Sequence, residues 1–271
     1  MRFTAGIHPH DASSWNDVTA ASIRALIDDP QCGAVGECGL DYDRMKAPRE
    51  VQLRAFAAQA AMSVEAGQKS LFLHCRELDA DRGPPIGAHA DLLRVLSDAG
   101  ASPSRCCVHC FTGSEAELRE LLTGGFVVGI TGYVCKAERG AGLRAALTTL
   151  GRELGAARVA SQLVVETDAP YMRPPDGVLR AAKAAAGPTD EAKAAGGEGG
   201  AAMPAKAGAL VFAKGRDSEP AMTVAVCRAV ADCLSMPHTA LAAASTETAR
   251  RLFFGDLKAV SGDAHAKQQE G

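Results

Sequence analysis

The sequence predicts an α/β fold built on a parallel sheet, and three observations carry that expectation. Short apolar runs alternate with amphipathic stretches along the first two thirds of the chain, as successive βα units require. The runs fall near residues 3–8, 33–37, 70–74, 105–109, 126–130 and 162–167, each of strand length. The chain has 271 residues, enough to bury a sizeable core in one large domain. Both a barrel and a doubly wound sheet satisfy this pattern.

Between the strands, residues 50–66 form the clearest helix, with Leu53, Phe56, Ala57, Ala60 and Val64 recurring along one face. A second helix follows Ser114, an N-cap candidate with Glu115 and Glu117 in the first turn, where they complement the helix dipole. From 175 to 217 the composition shifts to Ala, Gly, Lys and Pro, with Lys183-Ala-Ala-Ala-Gly187 and Ala195-Gly-Gly-Glu-Gly-Gly-Ala201 as the extreme pieces. Few large side chains there repay the entropy of ordering, so the stretch reads as a flexible low-complexity surface insertion. Helical patterning resumes at 219–235 and 239–254, ending with Leu252, Phe253 and Phe254 before Gly255. The expected organisation is one domain over 1–260 with a disordered tail over 261–271 and no internal repeat.

Composition narrows the function. Apolar residues make up 47 % and charged residues 23 %, which excludes disorder of the whole chain. Twenty-nine basic against 32 acidic residues give a net charge of -3, so no bulk positive field gathers nucleic acid. Any phosphate recognition is local, through metal ions for example. The N-terminus lacks the apolar core of a secretion signal, and no run of 18 apolar residues spans a bilayer. Nine scattered cysteines suggest neither a disulfide framework nor a Cys-only zinc site. The expected compartment is reducing, cytoplasmic or nuclear, with no membrane contact and no obligate protein partner.

Four apolar runs end on a side chain able to bind a metal: Ala34-Val-Gly-Glu37, Leu71-Phe-Leu-His74, Cys106-Cys-Val-His109 and Leu163-Val-Val-Glu-Thr-Asp168. Sites in parallel α/β folds assemble at the C-terminal ends of strands. Two imidazoles and two carboxylates converging there suit Zn, Mn or Mg, and a bridging carboxylate can hold two ions about 3.5–4 Å apart. Such a pair activates water and clamps the oxygens of a phosphodiester. Cys38, Cys75 and Cys110 adjoin these positions, but strand alternation turns neighbours away from a shared site, so they read as small buried hydrophobes.

Five motifs resemble one family in order: Gly6-Ile-His-Pro-His-Asp-Ala12, Val35-Gly-Glu-Cys-Gly-Leu-Asp41, Phe72-Leu-His-Cys-Arg-Glu77, Val108-His-Cys-Phe-Thr-Gly-Ser114 and Val165-Glu-Thr-Asp-Ala-Pro-Tyr171. Weaker similarity continues through Arg216-Asp-Ser-Glu-Pro-Ala221 and Arg250-Arg-Leu-Phe253. The chain is similar here to the TatD-type metal-dependent deoxyribonucleases, relatives of the amidohydrolase barrels. The resemblance implies a distorted TIM-type (β/α)8 barrel, two divalent metal ions (Mg, Mn or Zn) and 3′ to 5′ exonuclease action on a DNA substrate. Under it, Glu37 bridges both metals, His74 and His109 complete one site, and Asp168 ligates the other and orients or deprotonates the attacking water. The catalytic pair is then Asp168 and Glu37.

The family's two remaining ligands lie in an Asp-x-His-x-His motif on its first strand, and this sequence has no such motif. Met1 falls where the second strand would start, so the expectation is a barrel lacking its first βα unit, about 30 residues, and holding fewer metals. His8-Pro-His10 does not stand in for the motif, because in the family it occurs in addition to it. A family member impaired in catalysis and acting as a binding protein is therefore the alternative to a nuclease. His8, His10 and Arg76 sit beside strand ends as candidate contacts to substrate phosphate, Arg76 by bidentate hydrogen bonding. Thr112-Gly-Ser114 offers either an anion site or plain N-capping, and Glu166 is read as structural or as a support to a ligand. His89, His238 and His265 are expected to be solvated.

Overall fold

Six parallel strands follow one another around the sheet in sequence order: β1 (Phe3–Ala5), β2 (Cys32–Asp41), β3 (Leu71–Arg76), β4 (Cys106–Val108), β5 (Val127–Ile130) and β6 (Leu163–Val165). Every expected strand region is a strand. A doubly wound sheet would reverse its order at a switch point, whereas a barrel winds sequentially, so the observed order is that of a barrel wall. The computed structural model describes residues 2–79, 81–186, 212 and 215–255. Among them β6 forms no ladder with β1, and the ring is not closed by strand hydrogen bonds.

Helices follow the strands: α1 (Asp17–Ile27), α2 (Arg49–Glu65), α3 (Ala88–Ala99), α4 (Glu115–Thr123), α5 (Ala141–Leu150), α6 (Ala156–Ala160), α7 (Asp176–Ala186), α8 (Thr223–Cys233) and α9 (His238–Phe253). Alternation along the strands sorts the side chains. Leu71, Leu73, Val108, Val128, Ile130 and Leu163 face the helices and form the main core. Phe72, Cys107, Val127 and Val164 face the other way and pack on Leu252 and Phe253 of α9. The end of α9 is pinned there, because Ser70 Oγ donates to the Leu252 carbonyl at 2.6 Å. Ser245 of the same helix accepts the Val165 N–H at 2.9 Å, so α9 also satisfies part of the open edge of β6. Interior packing thus fills one end of the barrel and leaves the C-terminal ends of the strands for polar groups.

Three expectations need correction. In α2 the buried residues are Gln52, Ala55, Phe56, Gln59, Ala60, Met62 and Ser63, while Ala57 is exposed. The buried face is rotated from the apolar stripe because both glutamines find hydrogen-bond partners inside. The 175–217 stretch is not all flexible: α7 packs Leu179 and Ala182 against Met222 and Ala225, a contact made by residues distant in sequence, and residues 187–211 lie outside the described residues, as do His265 and the tail. His89 is buried and its Nε2 lies 3.1 Å from Glu120 Oε2 of α4. His238 is exposed as expected. Ser114 and Glu117 form a capping box at α4, which answers the Thr112-Gly-Ser114 question in favour of N-capping.

At the end of β3 the Glu77 carboxylate accepts backbone N–H groups of Leu78, Ile86, Gly87 and Ala88 at 2.7–2.9 Å, and so caps α3 from outside the helix. Burial pushes its pKa up, but these four donors outweigh burial and hold it below the usual value. The depressed carboxylate contributes stability above its unfolded pKa, about 4.3, and loses it as pH falls through the lower folded value. Glu77→Gln is expected to cost about 1–2 kcal/mol at pH 7 and to flatten the acid limb of stability, measured by denaturant unfolding at pH 7 and pH 3.

Candidate functional site

At the C-terminal ends of the strands lies a cavity of about 850 Å³ lined by His8, His10, Glu37, His74, His109 and Asp168 among others. Glu37 is its centre. The β2–β3 register shifts between Gly36 and Cys38, and the bulge aims the intervening Glu37 inward. Gly36 permits it: at φ 142°, a Cβ there would lie 2.2 Å from the Phe72 carbonyl oxygen. One oxygen, Glu37 Oε1, then faces three ring nitrogens, His109 Nε2 at 2.7 Å, His74 Nδ1 at 2.9 Å and His8 Nε2 at 3.3 Å.

The partners of the opposite ring nitrogens assign the tautomers. His74 Nε2 lies 3.3 Å from Asp41 Oδ2 and His109 Nδ1 lies 3.7 Å from Glu166 Oε1, so each carboxylate draws a ring N–H toward itself. The opposite nitrogens, His74 Nδ1 and His109 Nε2, face the Glu37 carboxylate. His8 is different: its Nδ1 accepts the His10 N–H at 3.1 Å, which places its own proton on Nε2, facing Glu37 and His74. His10 Nε2 is 2.7 Å from Asp41 Oδ2, and Asp41 Oδ1 accepts the N–H groups of Asp43 and Arg44. Glu166 is held by the Cys110 N–H at 2.6 Å, in space left by Gly129, where a Cβ would sit 2.4 Å from its Oε1.

Electrostatics follow from this wiring. Burial would raise the Glu37 pKa, but hydrogen bonds with His109, His74 and His8 hold it far below the carboxylate range. Burial would lower His109, yet Glu166 and Glu37 raise it to about 10. His74 is raised as well, its burial outweighed by Asp41 and Glu37. Asp168 is raised, first by burial and then by the charges of Glu166 and Glu37, with His109 opposing. Where those ring nitrogens carry protons they donate to Glu37, and a divalent cation can take the place of the protons. Among the described residues the ligand atoms of His8, Glu37 and His74 all lie within 4.8 Å of one another, and His109 Nε2 lies 2.7 Å from the same Glu37 oxygen, so the converging donor types suit a divalent ion.

A family model described as "TatD related DNase" matches residues 1–254. The chain belongs to this family. A relative from Musicola paradisiaca, named 3′-5′ ssDNA/RNA exonuclease TatD, is 42 % identical over 173 residues, covering 64 % of this chain and 58 % of its own length. The chain therefore spans less than two thirds of the length of that relative. The fold agrees with a TatD family hydrolase from Entamoeba histolytica (TM-score 0.67, 18 % identity, 94 % of this chain and 75 % of the other). It agrees equally with a TatD homolog from Escherichia coli (TM-score 0.67, 19 % identity, 93 % and 76 %).

Within this TatD chain the expected residues fall as follows. Glu37, His74 and His109 converge, and His8 joins them rather than standing beside them. Asp168 lines the same cavity at φ 51°. Arg76 lines it too, but its guanidinium is held by Asp43 and Asp79 at 3.0 and 3.1 Å, so its charge is already balanced. The buried reading holds for Cys38 but not for Cys110, which lines the cavity because the chain leaves strand geometry at φ 46°. Asp41 escaped sequence reasoning although positions 37, 39 and 41 share one face of a regular strand. Asp41 is fully buried, with burial raising its pKa and His74, the Arg44 N–H and His10 bringing it well below the usual range. Asp41→Asn is expected to cost about 1–3 kcal/mol of stability at pH 7, read as a lower denaturant midpoint at unchanged m-value.

Proposed function

We propose that the chain is a metal-dependent nuclease removing nucleotides 3′ to 5′ from single-stranded DNA or RNA. The observation that carries this reading is the single carboxylate oxygen of Glu37 faced by His74 Nδ1 and His109 Nε2, each ring backed by its own carboxylate. Glu37, His74 and His109 would hold a divalent cation, with imidazole nitrogens suiting Zn and the carboxylate oxygen suiting Mn or Mg. Such an ion supplies Lewis acidity toward a phosphoryl oxygen and toward water. Asp168, raised by burial and by neighbouring carboxylates, is suited to accept the proton of the attacking water and is the residue available to a second ion. His8 donates to Glu37 and fixes its orientation.

A polyanionic strand as substrate is supported by the cavity mouth, where Arg44, Lys46, Lys136 and Arg216 line the opening. They supply the local positive field that the net charge of -3 does not. Tyr171, 69 % exposed on the same rim, is tied to Asp168 by its N–H donating to the Asp168 carbonyl at 2.7 Å. It offers an aromatic face on which an unpaired base can stack. The relatives' printed name, 3′-5′ ssDNA/RNA exonuclease TatD, points the same way.

The test is digestion of 5′-labelled single-stranded oligonucleotides by chelator-treated protein with and without added Mn²⁺ or Zn²⁺. Metal is expected to restore stepwise shortening from the 3′ end. Glu37→Gln and Asp168→Asn are each expected to lower kcat by about 10²-fold or more. Cleavage indifferent to chelator, or equal in wild type and Glu37→Gln, overturns the reading.

A further inference from the structure

Helix α2 carries two glutamines that do not behave as helix surface residues. Gln52 and Gln59 are each 1 % exposed and stand seven residues apart, about two turns, on one face. Gln52 Oε1 accepts the Asp41 N–H at 2.8 Å, while its Nε2 donates to the carbonyls of Asp41 at 3.0 Å and Ala47 at 2.8 Å. Gln59 repeats the pattern on another strand end: Oε1 accepts the Ile7 N–H at 2.6 Å, and Nε2 donates to the carbonyls of Ile7 at 3.2 Å and Ala55 at 3.1 Å. Each amide takes both backbone groups of one residue, as a neighbouring strand would.

The strand lengths explain the need. β2 runs on to Asp41, whereas β1 stops at Ala5, so the backbone of Asp41 and of Ile7 lacks the β1–β2 ladder and requires other partners. Gly6 makes room, since a Cβ there would lie 2.9 Å from Gln59 Oε1 and 2.7 Å from Gly36 Cα. Asp41 is the residue whose carboxylate meets His74 and His10. Ile7 precedes His8, whose Nε2 meets Glu37 Oε1 and His74 Nδ1, both at 3.3 Å. His74 is therefore set from two sides by groups that a single rigid helix holds in register.

We infer that Gln52 and Gln59 are positioning residues that fix the orientation of His74 toward a bound cation through Asp41 and His8, an inference that rests on the metal reading proposed above. Ser63 is the internal control. It is also buried on α2 and its hydroxyl donates to the Lys69 carbonyl, but it touches none of the site residues.

The experiment compares wild type, Gln52→Met, Gln59→Met and Ser63→Ala. It measures Mn²⁺ binding to the chelator-treated full chain by calorimetry, and the His74 and His8 ring resonances of the metal-free protein at one fixed pH. Both methionine variants are expected to weaken Mn²⁺ binding about 10–100-fold and to move the ring resonances, while Ser63→Ala changes neither beyond twofold, whatever it does to thermal stability. If a methionine variant fails to fold, Gln52→Glu and Gln59→Glu, which keep the acceptor and remove the donors, are expected to show the same two effects. Unchanged Mn²⁺ affinity with unmoved resonances in the glutamine variants overturns the inference, as does an equal loss in Ser63→Ala. A wild type that binds no Mn²⁺ or Zn²⁺ overturns the metal reading instead, and the ring resonances still decide whether α2 positions His74.

Discussion

One carboxylate oxygen facing three imidazole nitrogens is the constraint around which this molecule is arranged. Glu37 Oε1, at 2.7–3.3 Å from His109, His74 and His8, can be placed there only if four chain segments end at one point. Parallel, sequentially ordered strands provide that point, because each carries side chains in or just beyond its C-terminal half to the same mouth. The β2 bulge and Gly36 supply the remaining turn of the Glu37 side chain. A flat or reordered sheet would scatter the same residues.

The site is polar well beneath its surface, and that polarity has to be satisfied. Asp41 and Glu166 back the two central histidines, backbone N–H groups back those carboxylates, and the amides of Gln52 and Gln59 back the strand ends. Each layer fixes the one above it, which is how a ligand set keeps its ring orientations. Apolar packing is pushed to two other places. The strand-to-helix interface holds the main core, and the opposite end of the barrel is filled by Leu252 and Phe253 of α9 against Phe72, Cys107 and Val164. Phe72 joins the two regions, its ring 4.5 Å from that of His109.

The local positive charge at the cavity mouth resolves an apparent conflict in the composition. A chain of net charge -3 gathers no polyanion as a whole, yet Arg44, Lys46, Lys136 and Arg216 share one rim. Within a Debye length of about 8–10 Å the field at that rim is set by these residues rather than by the sum.

The sequence by itself determined the βα alternation, the strand positions and the capping of α4 by Ser114, and it pointed to Glu37, His74, His109 and Asp168, which line one cavity. These are local signals, readable from periodicity and from which side chain closes an apolar run. Only the tertiary structure decided which partners complete the site. Gln52 and Gln59 look solvent-facing by chemistry, and their burial depends on backbone groups of Asp41 and Ile7 that are 11 and 52 residues away. Asp41 and Glu166 gained their roles from rings on other strands, Arg76 lost its freedom to Asp43 and Asp79, and α7 was held by Met222 and Ala225 across a long intervening stretch. A buried polar group is placed by the partner that satisfies it, and that partner is set by the fold rather than by neighbouring residues in the chain.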